Sequence, residues 1–98
     1  RQAGQAQQAL AALDRAVATN ANARGVQTAR ARILGEMNQL DDALTALQAA
    51  VAAGDSAPNV ALVGLSLGQT AYRAANASKA RADFERAIRL LEFSDKTN

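Results

Sequence analysis

Ala9-Leu10-x-x-Leu13-x-x-Ala16 returns 34 residues later as Ala43-Leu44-x-x-Leu47-x-x-Ala50, and 37 residues after that as Ala80-x-x-x-Phe84-x-x-Ala87. A self-similarity in the thirties marks a chain built from repeated supersecondary units, each stacked on the next to bury its apolar face. Within each copy the apolar spacing of three and four is helical. Alanine keeps one register in every copy because a methyl group lets a paired helix approach closely.

Five helical segments follow from the same spacing. The first runs from Gln5 to Thr19, with Ala6, Ala9, Leu10, Leu13, Ala16 and Val17 inward, and ends at Asn20-Ala21-Asn22. The second runs from Ala23 to Met37, with Val26, Ala29, Ile33, Leu34 and Met37 inward; Asn38 suits the left-handed position that closes a helix. The third runs from Leu40 to Ala53, with Leu40, Ala43, Leu44, Leu47, Ala50 and Val51 inward. Asp41 and Asp42 stand in its first turn, where negative charge complements the helix dipole. Gly54-Asp55-Ser56-Ala57-Pro58 is the clearest break, a glycine after one helix and a proline opening the next. The fourth helix runs from Asn59 to Ala75, with Leu62, Val63, Leu67, Thr70 and Ala71 inward. The fifth runs from Ala77 to Glu92, capped by Asn76 or Ser78, with Ala77, Ala80, Phe84, Ala87, Ile88 and Leu91 inward. Ser94 to Asn98 reads as a frayed tail. Helices of this length joined by short turns lie antiparallel to their neighbours, which predicts an all-α fold.

Composition narrows the function classes. The 98 residues carry a formal net charge of only +2 and no cysteine or histidine. Disulfides and thiolate metal sites are excluded, and no cofactor or metal is expected. The longest apolar stretch, Val60 to Leu67, falls far short of the ~20 residues of a membrane span. Arg73, Lys79, Arg81, Arg86 and Arg89 form a loose basic group, but Asp83 and Glu85 interrupt it, so it reads as a solvated helix face and no nucleic-acid partner is expected. The serine and threonine hydroxyls have no recognisable base beside them, as nucleophilic catalysis requires. Asp41 and Asp42 are adjacent at a helix start and point apart, which suits capping rather than acid-base work. Gly64-x-x-x-Gly68 reads as close helix packing, and there is no glycine-rich phosphate loop. The chain is therefore not expected to be an enzyme. Its excess of Arg over Lys and its high Ala content resemble GC-rich bacterial coding, which fits cytoplasm and periplasm alike.

At these residues the chain resembles the tetratricopeptide repeat (TPR) family, whose unit is a 34-residue pair of antiparallel helices. The last unit matches best, with Pro58-Asn59 at its opening, then Leu67-Gly68, Tyr72, Ala80, Phe84 and Ala87. The middle unit has Ala31 in place of the packing glycine, then Leu34, Asn38, Ala43, Leu47 and Ala50. The first unit is a second half only, with Gly4 at the inter-helix glycine and then Ala9, Leu13 and Ala16. There are departures: Gln27 and Gly64 replace the family's tryptophan, Arg30 replaces a leucine, and Arg81 stands where Leu10 and Leu44 stand. Three extra residues precede Pro58. The resemblance implies a right-handed superhelix, an α-solenoid. Its units are 1–22 (a second half-repeat), 23–57 and 58–93 (two repeats) and 94–98 (a tail), within a longer repeat protein.

The resemblance also implies a binding function, because stacked hairpins curve and the first helix of each unit lines a concave groove. Carried over, the groove positions are Thr28, Arg32, Gly35 and Glu36, then Leu62, Leu65, Gln69, Tyr72 and Arg73. Guanidinium groups there suit carboxylates or carbonyls of a peptide. The family's clamp for chaperone C-terminal carboxylates is absent, since Thr28, Arg32 and Ser66 stand at its positions. The expected function is a protein-interaction scaffold with a peptide or protein partner, and the alternative is a structural or self-association module. Ile88, Leu90, Leu91 and Phe93 exceed one inward stripe and are expected to form an end-to-end contact with a following helix or a second copy.

Overall fold

A computed structural model of the chain describes residues 3–97. It is all-helical: α1 (Ala3–Thr19), α2 (Val26–Glu36), α3 (Leu40–Ala52), α4 (Ala57–Ser78) and α5 (Arg81–Thr97), with no strand among the described residues. α2 pairs with α3 and α4 with α5; α2 also packs on α4, and α3 on both α4 and α5. α1 packs on α2 alone among the other helices. The Cα atoms fill a slab of 40 × 32 × 17 Å. Two helix layers about 10 Å apart, each with a Cα radius of about 2.3 Å, account for that thin dimension.

The core is built of alanines around fewer, larger aliphatic side chains. Ala31, Ala43, Ala46, Ala50, Ala71 and Ala87 surround Leu34, Leu47, Val60, Val63 and Leu90, while Leu10, Leu40, Leu44, Leu67 and Phe93 pack against this cluster from its margin. The recurrent alanines Ala43, Ala50 and Ala87 are each fully buried, as the repeat requires. Two helix ends close in the same way. Asn38 (φ 60°) and Gly54 (φ 84°) are left-handed. The following N–H reaches back to a carbonyl in the last turn, Gln39 to Leu34 at 2.9 Å and Asp55 to Ala50 at 3.0 Å. Each bond satisfies a carbonyl the helix would otherwise leave orphaned.

The last hairpin departs from expectation. α4 runs through Asn76 and Ser78 before Lys79 (φ 60°) ends it, so Ala77 belongs to α4 and Asn76 caps nothing in α5. Ser78 accepts the Ala80 N–H at 3.1 Å and donates to the Asp83 carboxylate at 2.7 Å, which fixes the turn into α5. α5 is rotated from the expected stripe: Ala87, Leu90 and Ser94 are buried, whereas Ala80 and Ile88 are exposed. Ser94–Thr97 is helix rather than tail, and Ser94 donates to the Ala61 carbonyl at 2.6 Å; Asn98 lies outside the described residues. Leu62, Thr70 and Val51, expected inward, are exposed. Gly64 and Gly68 explain how close the two helices come. A Cβ on Gly68 would stand 2.7 Å from Leu91 Cδ2 and 3.2 Å from the Leu91 backbone nitrogen.

Candidate functional site

α2 and α4 lie side by side and run the same way, since residues near the start of each helix share one concavity and residues further along share the next. The first concavity, about 450 Å³, is lined by Arg24, Gly25, Thr28, Ala29 and Arg32 on one side and Asp55, Ser56, Asn59, Leu62 and Val63 on the other. The second, about 500 Å³, is lined by Arg32, Gly35 and Glu36 and by Leu62, Val63, Ser66, Leu67 and Thr70. Arg32, Leu62 and Val63 belong to both, so the two form one groove with an apolar floor. Gly35 stands against this floor: a Cβ there would meet Leu67 Cδ2, so the end of the Leu67 side chain lies where a larger residue would put its own.

The entrance of the groove is held by Asp55. One carboxylate oxygen accepts the Gly25 N–H at 2.8 Å, and the other accepts the Thr28 hydroxyl. Gly25 (φ 83°) is the N-cap residue of α2 and has no side chain to cap with. A carboxylate from the α3–α4 loop does the capping across space and also satisfies the hydroxyl of Thr28, which is buried. Sequence reasoning missed Asp55. The available signal was a glycine at a helix start and an acidic residue in a loop, which does not reveal that the two meet.

The expected groove residues divide. Thr28, Arg32 and Glu36 line the groove, as do Gly35 and Leu62. Thr28 is turned toward Asp55 and offers a ligand little. Leu65, Gln69, Tyr72 and Arg73 do not line it. Tyr72 stands edge-on to Phe84 of α5, with ring centroids 5.9 Å apart. Arg73 donates to Thr70 Oγ1 at 3.4 Å, close to the groove's far end but outside its lining. Ser66 and Thr70 take the places expected for Gln69 and Tyr72, because α4 is turned so that its 62–66–70 edge faces α2.

The expected end-to-end contact does not form a surface. Leu90 is completely buried, Phe93 packs against the core, and Leu91 is half-buried beside Gly68. Ile88 alone of the four is exposed.

Most cross-helix charges are engaged. Arg30 holds Asp14 of α1 at 2.7 Å and also donates to Gln27, which explains an arginine at a position where the resemblance implies leucine. Asp41 holds Arg86 at 3.1 Å and Arg89 at 3.5 Å, and Arg86 also holds Asp83 at 3.1 Å. The Arg86 hydrogen bond, with the charges of Arg86 and Arg89, holds the Asp41 carboxyl below the usual carboxylate range. The Arg86 guanidinium is raised in turn, chiefly by its hydrogen bond to Asp41. Asp41 thus ties α3 to α5; it makes no capping bond at the start of α3. The loose basic group is consequently dispersed among carboxylates rather than gathered into one field.

No group of acidic side chains that could hold a metal ion occurs among the described residues. No helix among them is long and apolar enough to cross a membrane. Compared with protein-family models, with curated proteins and with solved structures, the chain matches none.

Proposed function

We propose that the chain is a non-catalytic protein–protein interaction scaffold of the tetratricopeptide type, a solenoid segment that binds a peptide or protein segment in the groove between α2 and α4. The observation that carries this reading is the continuity of that groove. Two concavities share Arg32, Leu62 and Val63 and run between parallel helices that open successive hairpins. An apolar floor with a few charged and hydroxyl groups along its walls is the composition of a recognition site. Leu62 supports it further: it is 64% exposed at the centre of the floor, a large apolar side chain left for a partner to cover. The slab thickness and the packing of α2 on α4 and α3 on α5 favour a solenoid over an unordered bundle.

A phage-displayed peptide library panned on the protein tests this. Selected binders lose affinity on Ser66→Trp, which fills the groove, and keep it on Ser66→Ala. Binders that tolerate the tryptophan sink the groove reading. A second reading, a self-association module, is favoured by the ridge of Leu62, Leu65 and Tyr72 along α4, exposed by 64%, 39% and 46%. Sedimentation equilibrium decides it: a concentration-dependent dimer that Leu65→Lys abolishes supports this reading, and a monomer at high concentration removes it.

A further inference from the structure

The groove is not electrically uniform. Arg24 and Arg32 both line the first concavity, Arg32 at its border with the second, and neither has a hydrogen-bond or ion-pair partner among the described residues. This sets them apart from Arg30, Arg86 and Arg89, each held by a carboxylate of another helix. Asp55 lines the same concavity, but both its oxygens are committed to Gly25 and Thr28. The count there is two guanidinium charges against one carboxylate, which leaves a single positive charge uncompensated. The first turn of α4 faces the same space, and its N-cap, Ser56, makes no side-chain capping bond. The positive end of that helix adds to the field. The second concavity carries Glu36 and the apolar surface of Leu62, Val63 and Leu67.

We propose that the groove selects a short segment of a partner protein carrying one acidic side chain followed by apolar ones. The carboxylate sits against Arg24 and Arg32, and the apolar side chains lie on Leu62, Val63 and Leu67. This rests on the groove reading above and gives it a ligand chemistry and a direction. One carboxylate matches the single uncompensated charge, and the fork of a guanidinium takes it in two parallel hydrogen bonds. A dianionic phosphate exceeds that charge and meets Asp55 at one side and Glu36 at the other.

Length sets the size of the segment. From Val26 to Glu36 the groove follows α2 for about 15 Å at ~1.5 Å per residue. That distance takes about four or five residues of extended chain at ~3.3 Å each.

The test uses fluorescein-labelled six-residue peptides and fluorescence anisotropy, with amide chemical shifts to locate the contact. One peptide carries a glutamate followed by apolar residues, one has lysine in place of the glutamate, one has phosphoserine there, and one has serines in place of the apolar residues. The glutamate peptide is expected to bind most tightly and to shift the amides of Ala29 and Val63. The double variant R24Q/R32Q is expected to weaken it about tenfold or more, while R81Q, outside the groove, leaves it unchanged. Thermal melts of both variants confirm that they are folded. A lysine or phosphoserine peptide that binds more tightly in the same groove overturns the acidic preference and leaves the groove reading standing. Glutamate-peptide shifts confined to another face overturn both. No binding by the glutamate peptide at millimolar concentration overturns the proposal.

Discussion

At Gly68 a single methyl group has nowhere to go. It would meet Leu91 Cδ2, Leu91 Cγ at 2.8 Å and the Leu91 backbone nitrogen, and the backbone cannot swing aside as a side chain can. Replacing glycine with alanine in a helix ordinarily gains about 1 kcal/mol. Here overpacking opposes that gain with a cost of about 1–3 kcal/mol. Gly68→Ala is therefore expected to lower the urea midpoint of unfolding; an increase would show that α5 can withdraw freely. Leu90 and Ile88 make a second comparison two residues apart. Leu90 is completely buried, so Leu90→Ala is expected to cost about 2–5 kcal/mol. Ile88 is 48% exposed, and Ile88→Ala is expected to cost under about 1 kcal/mol. Equal costs in denaturant titrations would contradict the observed rotation of α5. Ala43, Leu47, Ala50 and Ala87 were legible in the sequence because the period fixed their phase. The rotation of α5 was not. With Ala80 and Ala82 near its start and Ile88, Leu90, Leu91 and Phe93 along its length, two stripes are comparably apolar, and the contact with Gly64 and Gly68 chooses between them.

At the scale of the elements, the helix ends divide into those that local chemistry sets and those set from elsewhere. Asn38, Gly54 and Pro58 announce their boundaries, because each residue type has its own backbone preference. The end of α4 sits at Lys79 in the left-handed region, in a stretch without glycine or proline, and no local signal marks it. The start of α2 depends on Asp55, thirty residues along the chain. Asp55→Ala is expected to destabilise the protein by about 0.5–2 kcal/mol, the usual worth of a cap. Hydrogen exchange is expected to quicken most at Thr28 and its neighbours; a uniform change would place the effect elsewhere. Between α3 and α5, Asp41 links stability to pH. Its folded-state pKa lies below the ordinary 3.8, so its contribution is complete above that value and is lost as pH falls through the folded-state pKa. The carboxylate is 65% exposed, so solvent screening keeps the contribution at about 1 kcal/mol or less. Asp41→Asn is expected to lower the melting temperature at pH 7, and the deficit is expected to shrink as pH falls below 3.8. A deficit that does not change with pH would assign Asp41 a packing role instead.

Across the whole molecule, stability is unevenly distributed. α1 packs on α2 alone, and one of its anchors there is the Asp14–Arg30 ion pair, whereas α3 and α4 each have helices on several sides. Its amides are expected to exchange fastest of the five helices, with α3 and the centre of α4 slowest. Full protection of α1 to the level of global unfolding would show that it shares the core's cooperativity. The groove was half legible at this scale. The family resemblance implied α2 and α4 as its walls and carried Thr28, Arg32 and Glu36 to it, but the facing edge of α4 depends on the rotation of that helix. Ser66 and Thr70 face α2 where Gln69 and Tyr72 were expected. The end of the Leu67 side chain lies against the bare α-carbon of Gly35, and Leu67 lines the second concavity. A methyl group at Gly35 would displace that side chain and reshape the apolar floor. The floor is thus open to change at a position that has no chemistry to offer a ligand. A change in the girth of the ligand it accepts is open to this fold through Gly35 and Leu67, with every charged group in the walls left as it is.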